Sequence, residues 1–134
     1  MLGEKIGELS GKITSQRVLD VTCGAKMETT VNLTGKISNI DVSSIITYWN
    51  IRKPDGSLYG EGEGILTANG EVVASSESQG IGKLTEAGNA RWIGSIFYNS
   101  SSNKKLINLN NLVGIFETEV DTNGQVREII WEWK

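Results

Sequence analysis

Between Leu58 and Leu84 glycine recurs at every second position on both arms of one reversal: Gly60, Gly62 and Gly64 on the first, Gly80 and Gly82 on the second, with Ala68-Asn69-Gly70 at the turn. In a strand, a period of two places each arm's glycines on a single face, where the missing side chains admit another element closely or leave space. Asn69-Gly70 supplies the strongest two-residue hairpin signal. The pair therefore reads as two strands lining the inside of a curved, closed sheet.

The rest of the chain fits that frame. A long first strand is expected from Ile6 to Leu19, bent at Gly11, with Leu9, Gly11, Ile13, Ser15, Arg17 and Leu19 on one face. Met27 to Ile37 alternates cleanly, with Met27, Thr29, Val31, Leu33, Gly35 and Ile37 together. A third strand, Ser44 to Arg52, sets Ile45, Thr47, Trp49 and Ile51 against Ile46, Tyr48 and Asn50, and ends at the Pro54-Asp55-Gly56 reversal. The glycine pair supplies the fourth and fifth strands, Leu58 to Leu66 and Glu71 to Leu84. A sixth runs from Ala90 to Asn99 and leads into a polar loop, Ser100 to Lys105. Leu106, Leu109 and Leu112 recur at spacing three, which predicts a short helical turn from Leu106 to Asn111. Gly114 to Val120 and Gln125 to Trp133 are the last two strands, joined through Asp121-Thr122-Asn123-Gly124. Eight strands with regular turns predict an all-β fold: one domain over residues 1–134, an eight-stranded antiparallel up-and-down closed barrel, because closure removes the edges an open sheet must protect.

The composition narrows function mainly by exclusion. A formal charge of −3 with scattered Lys and Arg lacks the basic footprint of a nucleic-acid binder. Histidine is absent, which removes Ser-His-Asp and Cys-His catalysis, and one cysteine without histidine leaves too few ligands for zinc. Gly60-Glu61-Gly62-Glu63-Gly64 lacks the GxGxxG spacing and runs into a hairpin, and Asp121-Thr122-Asn123-Gly124 has no glutamate where a calcium loop requires one. No metal and no cofactor is expected. The residues from Met1 to Ile6 lack the apolar run of a signal peptide, nowhere do about eighteen apolar residues follow one another, and the lone Cys23 suits a reducing compartment. The expected location is cytoplasmic, with no membrane partner.

If each strand turns its less charged face inward, the lumen receives the glycines, Ala74, Ser76, Ser78, Phe116, Thr118 and Val120, along with Trp92, Ile96 and Tyr98 from the sixth strand and Ile129, Trp131 and Trp133 from the eighth. The same parity points Arg17 and Arg127 inward. An unpaired buried guanidinium is costly, so each is expected at a barrel mouth, beside a carboxylate or on an anionic ligand group. Trp49, Trp92, Trp131 and Trp133 either fill the space the glycines leave or line a ligand cavity. The candidate ligand-binding set is thus Arg17, Trp49, Trp92, Tyr98, Arg127 and Trp131. Glu61, Glu63 and Glu117 become candidates for acid–base catalysis only if the parity of the fourth or seventh strand is reversed; otherwise they are a solvated face.

Tyr59-Gly60-Glu61-Gly62-Glu63-Gly64, Gln79-Gly80-Ile81-Gly82 and Leu109-Asn110-Asn111-Leu112-Val113-Gly114-Ile115-Phe116-Glu117 together resemble the allene oxide cyclase-like barrels, a group that includes the plant cyclases, the dirigent proteins and small uncharacterised microbial proteins. The resemblance implies an eight-stranded barrel with an apolar lumen, self-association into homo-oligomers, and enzymes that guide cyclisation or coupling of apolar intermediates by shape. No motif here carries over the family's glutamate or cysteine. Three functions follow as expectations: a barrel binding a small apolar or amphipathic molecule, a cyclase or isomerase using a lumen carboxylate, and a self-associating scaffold with a packed lumen.

Overall fold

The computed structural model describes residues 1–100 and 106–134. Eight strands, β1 (Leu2–Asp20), β2 (Lys26–Ile37), β3 (Ile40–Arg52), β4 (Leu58–Ala68), β5 (Glu71–Leu84), β6 (Ala90–Asn99), β7 (Val113–Val120) and β8 (Gln125–Trp133), follow one another around a closed barrel. Every neighbouring pair is antiparallel, and β8 returns to pair with β1. A 3-10 helix, Ile107–Asn111, lies between β6 and β7 where the leucine spacing predicts a helical turn. The loop expected from Ser100 to Lys105 lies, beyond Ser100, outside the described residues. Among the described residues no helix is long and apolar enough to cross a membrane.

Two tight turns set the register of the first half. Asn69 and Gly70 both have positive φ, 52° and 79°, the geometry that a two-residue hairpin loop needs to match strand twist. Ser38 and Asn39 adopt the same left-handed conformation, at 51° and 66°, without a glycine. That turn has no strong composition signal, so β3 begins at Ile40, four residues ahead of the expected Ser44.

The glycine stripe does admit close neighbours. A Cβ on Gly82 would sit 2.9 Å from the Trp92 indole, and one on Gly94 would sit 2.0 Å from the Gln79 carbonyl oxygen and 2.7 Å from the Phe116 ring. The space is taken by Trp92 and Phe116, which pack with Leu9, Val31, Leu33, Ile96, Val126 and Ile130 in one core. Leu106 and Leu109 are buried in that same core, at the end of the barrel where β6 leaves and β7 enters. Asn110 holds this segment: its Oδ1 accepts the Ser100 N–H at 2.5 Å and its Nδ2 donates to the Ser100 carbonyl at 2.6 Å.

Strand parity departs from expectation at three places. In β1 an irregularity falls at Thr14, not at Gly11: Ile13 pairs with Val31 but Ser15 pairs with Thr30, so the extra residue reverses the facing from Ser15 to Val18, after which a second shift follows before Asp20. Gln16 then turns toward Thr29, and Arg17 turns outward beside Glu28. In β3 the inward residues are Val42, Ser44, Ile46 and Tyr48, which leaves Trp49 outside. In β8 they are Val126, Glu128 and Ile130, which leaves Arg127, Trp131 and Trp133 outside. Both strands carry bulky apolar residues on each face, so alternation cannot choose between them; the finite width of an eight-stranded lumen, already holding Trp92, Phe116 and Tyr48, does.

Candidate functional site

Register brings three inward side chains into one row across the wall. Trp92 on β6 lies opposite Thr118 on β7, and Thr118 lies opposite Glu128 on β8. The Thr118 hydroxyl donates to Glu128 Oε2 at 3.2 Å. Glu128 is 6% exposed, the one carboxylate among the described residues that is fully buried. Burial pushes its acid up to about 7, against the smaller opposing effect of the Thr118 hydrogen bond, which favours the ionised form. Tyr98 is buried nearby, and desolvation together with the Glu128 charge drives its phenol well above the usual value.

Glu128 faces a cavity of about 60 Å³ whose wall includes Val31, Ile46, Tyr48, Trp92 and Phe116. Tyr48 meets the Trp92 indole edge-on, with ring centroids 5.7 Å apart. Burial raises the Tyr48 phenol, and the Thr29 hydroxyl works against that shift. Among the described residues, no lysine or arginine belongs to the lining. A carboxyl that titrates near neutrality in an apolar, aromatic chamber can hold a hydrogen-bonding ligand group or give and take a proton there.

Of the residues singled out in the sequence, Trp92 and Tyr98 face inward, and Trp92 borders the cavity. The side chains of the others point outward. Arg17 is on the outer face, 3.3 Å from Glu28, turned there by the Thr14 bulge. Arg127 is also outside, 2.8 Å from Glu8 across the β1–β8 seam. Trp49 lies on the outer face under the Lys26 ammonium, 4.5 Å from its ring, and edge-on to Tyr59. Trp131 is half-buried on the outside of β8, and its indole N–H has no hydrogen-bond partner among the described residues. Glu61 and Glu63 are exposed on β4, though Glu61 also borders the cavity between Gly60 and Gly62, and Glu117 sits half-buried on the outside of β7, 3.7 Å from Arg91.

Glu128 itself went unread in the sequence. The segment Arg127-Glu128-Ile129-Ile130-Trp131 offers a charge to each face, and sending the indoles inward sends the glutamate out. The signal that favours the opposite choice is Glu8 on the neighbouring strand, which provides Arg127 with an outside partner and leaves Glu128 for the lumen. Among the described residues, no group of three or more His, Cys, Asp or Glu side chains is placed to hold a metal ion.

Closed barrels of this form exist in solved structures. The chain superposes on the conserved protein of unknown function RPA1785 from Rhodopseudomonas palustris with a TM-score of 0.79 at 10% identity, over 98% of this chain and 97% of that one. It superposes equally on a protein with unknown function from Clostridium acetobutylicum ATCC 824, with a TM-score of 0.80 at 11% identity over 98% of both chains. Identities this low establish a shared fold and no more. No protein-family model and no curated protein matches the sequence.

Proposed function

We propose that the barrel binds a small apolar or amphipathic molecule in its lumen, with Glu128 as the polar anchor. The reading is carried by Glu128 facing an apolar cavity: a buried carboxyl weakens packing unless it is paired, and an apolar residue of similar size would fill the site without that cost. The cavity's about 60 Å³ is under half of the ~150 Å³ known to hold benzene, so it suits a ligand, or the buried part of one, of a few heavy atoms.

The test is methyl NMR of the full chain under xenon pressure, since dry apolar cavities take up xenon. Methyl signals of Val31, Ile46, Ile96 and Val126, which line the cavity, should shift saturably, while those of the outward Ile45 and Ile65 stay fixed. Equal small shifts at all six would mean that the lumen is not a binding chamber.

A second reading, proton-transfer catalysis of the cyclase or isomerase kind, is favoured by the titration of Glu128 near 7, which suits a general acid–base at neutral pH. The likeness of the glycine motifs to allene oxide cyclase-like barrels belongs with this reading. Cys23, exposed and without a disulfide, fits a cytoplasmic setting.

A further inference from the structure

The lumen's chemistry narrows the class of ligand. An anion would meet the Glu128 carboxylate with no lysine or arginine among the described residues of the cavity wall to offset the repulsion. A wholly apolar ligand would add no partner to the Thr118 hydroxyl already on the buried carboxyl. A cation finds the opposite conditions. The carboxylate supplies the counter-charge, the Thr118 and Ser78 hydroxyls stand on the same lining as further acceptors, and the rings of Tyr48, Trp92 and Phe116 offer π-faces and edges around the same space. The outer face of this barrel already uses the same pairing, with the Lys26 ammonium over Trp49.

We propose that the lumen selects a small apolar primary amine, bound as its ammonium against Glu128, with Thr118 and Ser78 taking its remaining N–H groups. This rests on the reading of the lumen as a binding chamber. The ammonium's three donors find three oxygens, and its alkyl part packs against Val31, Ile46 and Ile96. Of the two charged forms a ligand can take, only the cation lets both partners keep their charges in a low-dielectric site. The size of the chamber limits the buried part to a short alkyl chain.

The proposal is tested by following the Trp92 indole N–H in heteronuclear NMR of the full chain at pH 8 while adding ethylamine, ethanol or acetate, three probes of similar size that differ in charge. Ethylamine should shift the signal saturably with a dissociation constant of about a millimolar, near the ceiling for three heavy atoms. Ethanol should bind about tenfold more weakly, and acetate should not saturate. In Glu128→Gln, which keeps the shape and removes the charge, ethylamine should lose about tenfold in affinity while ethanol changes less than about twofold. Ethanol binding as tightly as ethylamine, or Glu128→Gln retaining ethylamine, overturns the amine assignment and leaves the chamber standing, because ethanol still reports entry. Silence from all three probes, with no response to xenon, overturns the chamber reading and the amine assignment together.

Discussion

Glu128 makes the stability of the barrel depend on pH in a direction opposite to that of most carboxylates. Its acid lies near 7 in the folded chain against about 4.5 when solvated, so the folded state prefers the protonated form. That preference is fully present below pH 4.5 and is lost as pH rises through about 7, above which the fold carries an ionised, buried carboxylate. At about 1.4 kcal/mol per pH unit, the gap corresponds to about 3 kcal/mol. Glu128→Gln removes the titration, so urea denaturation should find the variant and the parent close at pH 4.5 and the variant more stable by about 3 kcal/mol at pH 8.5. A difference that stays constant across that range would mean Glu128 does not titrate in the lumen. Arg127, one residue away, shows why this group was illegible. The two alternate on one strand, and nothing within β8 says which of them finds a partner; Glu8, on a strand 119 residues away in sequence, decides it.

Among the elements, the glycine-rich β4 and β5 were readable in their pairing and in the facing of their glycines because two independent signals agreed, the period of two and the Asn69-Gly70 turn, while the register shift between Leu66 and Thr67 and the exposure of Leu84 were not. β3 and β8 were readable as strands but not in facing, since each carries apolar residues on both sides, and the bulge at Thr14 in β1 has no composition signature at all. The glycines themselves fall into two kinds that mutation separates. At Gly82 the nearest atoms an added methyl meets all belong to the Trp92 ring, whereas at Gly94 they include the Gln79 main chain as well as Phe116. Gly82→Ala and Gly94→Ala should each cost about 1–3 kcal/mol by overpacking. Double-mutant cycles by thermal or urea unfolding should then show that Trp92→Leu recovers much of the Gly82→Ala loss, because a side chain can yield, while Phe116→Leu leaves the Gly94→Ala loss in place. Recovery at both positions would show that the β5–β6 backbones are not locked at the separation seen at Gly94.

For the molecule as a whole, closure through the β1–β8 seam is what keeps an all-antiparallel sheet from exposing two long edges. Ser10 is a point at which to test that dependence. It pairs with Thr34 of β2 on one side and Arg127 of β8 on the other, and its side chain is exposed, so Ser10→Ala should change stability by less than about 0.5 kcal/mol. Proline at the same place removes the backbone N–H and fixes φ near −65°, which a doubly paired strand does not tolerate; the loss should be about 3 kcal/mol or more. The consequence at this scale is not confined to residue 10. With the seam weakened, amide exchange should speed along both β1 and β8, and the freed edges should pair with those of other molecules, giving aggregates that grow with protein concentration in size-exclusion chromatography. Were Ser10→Pro to lose protection only next to the substitution and remain the size of the parent, the barrel would be held closed by its packed lumen, with Trp92 and Phe116 at the centre, and the seam's hydrogen bonds would be secondary to that core.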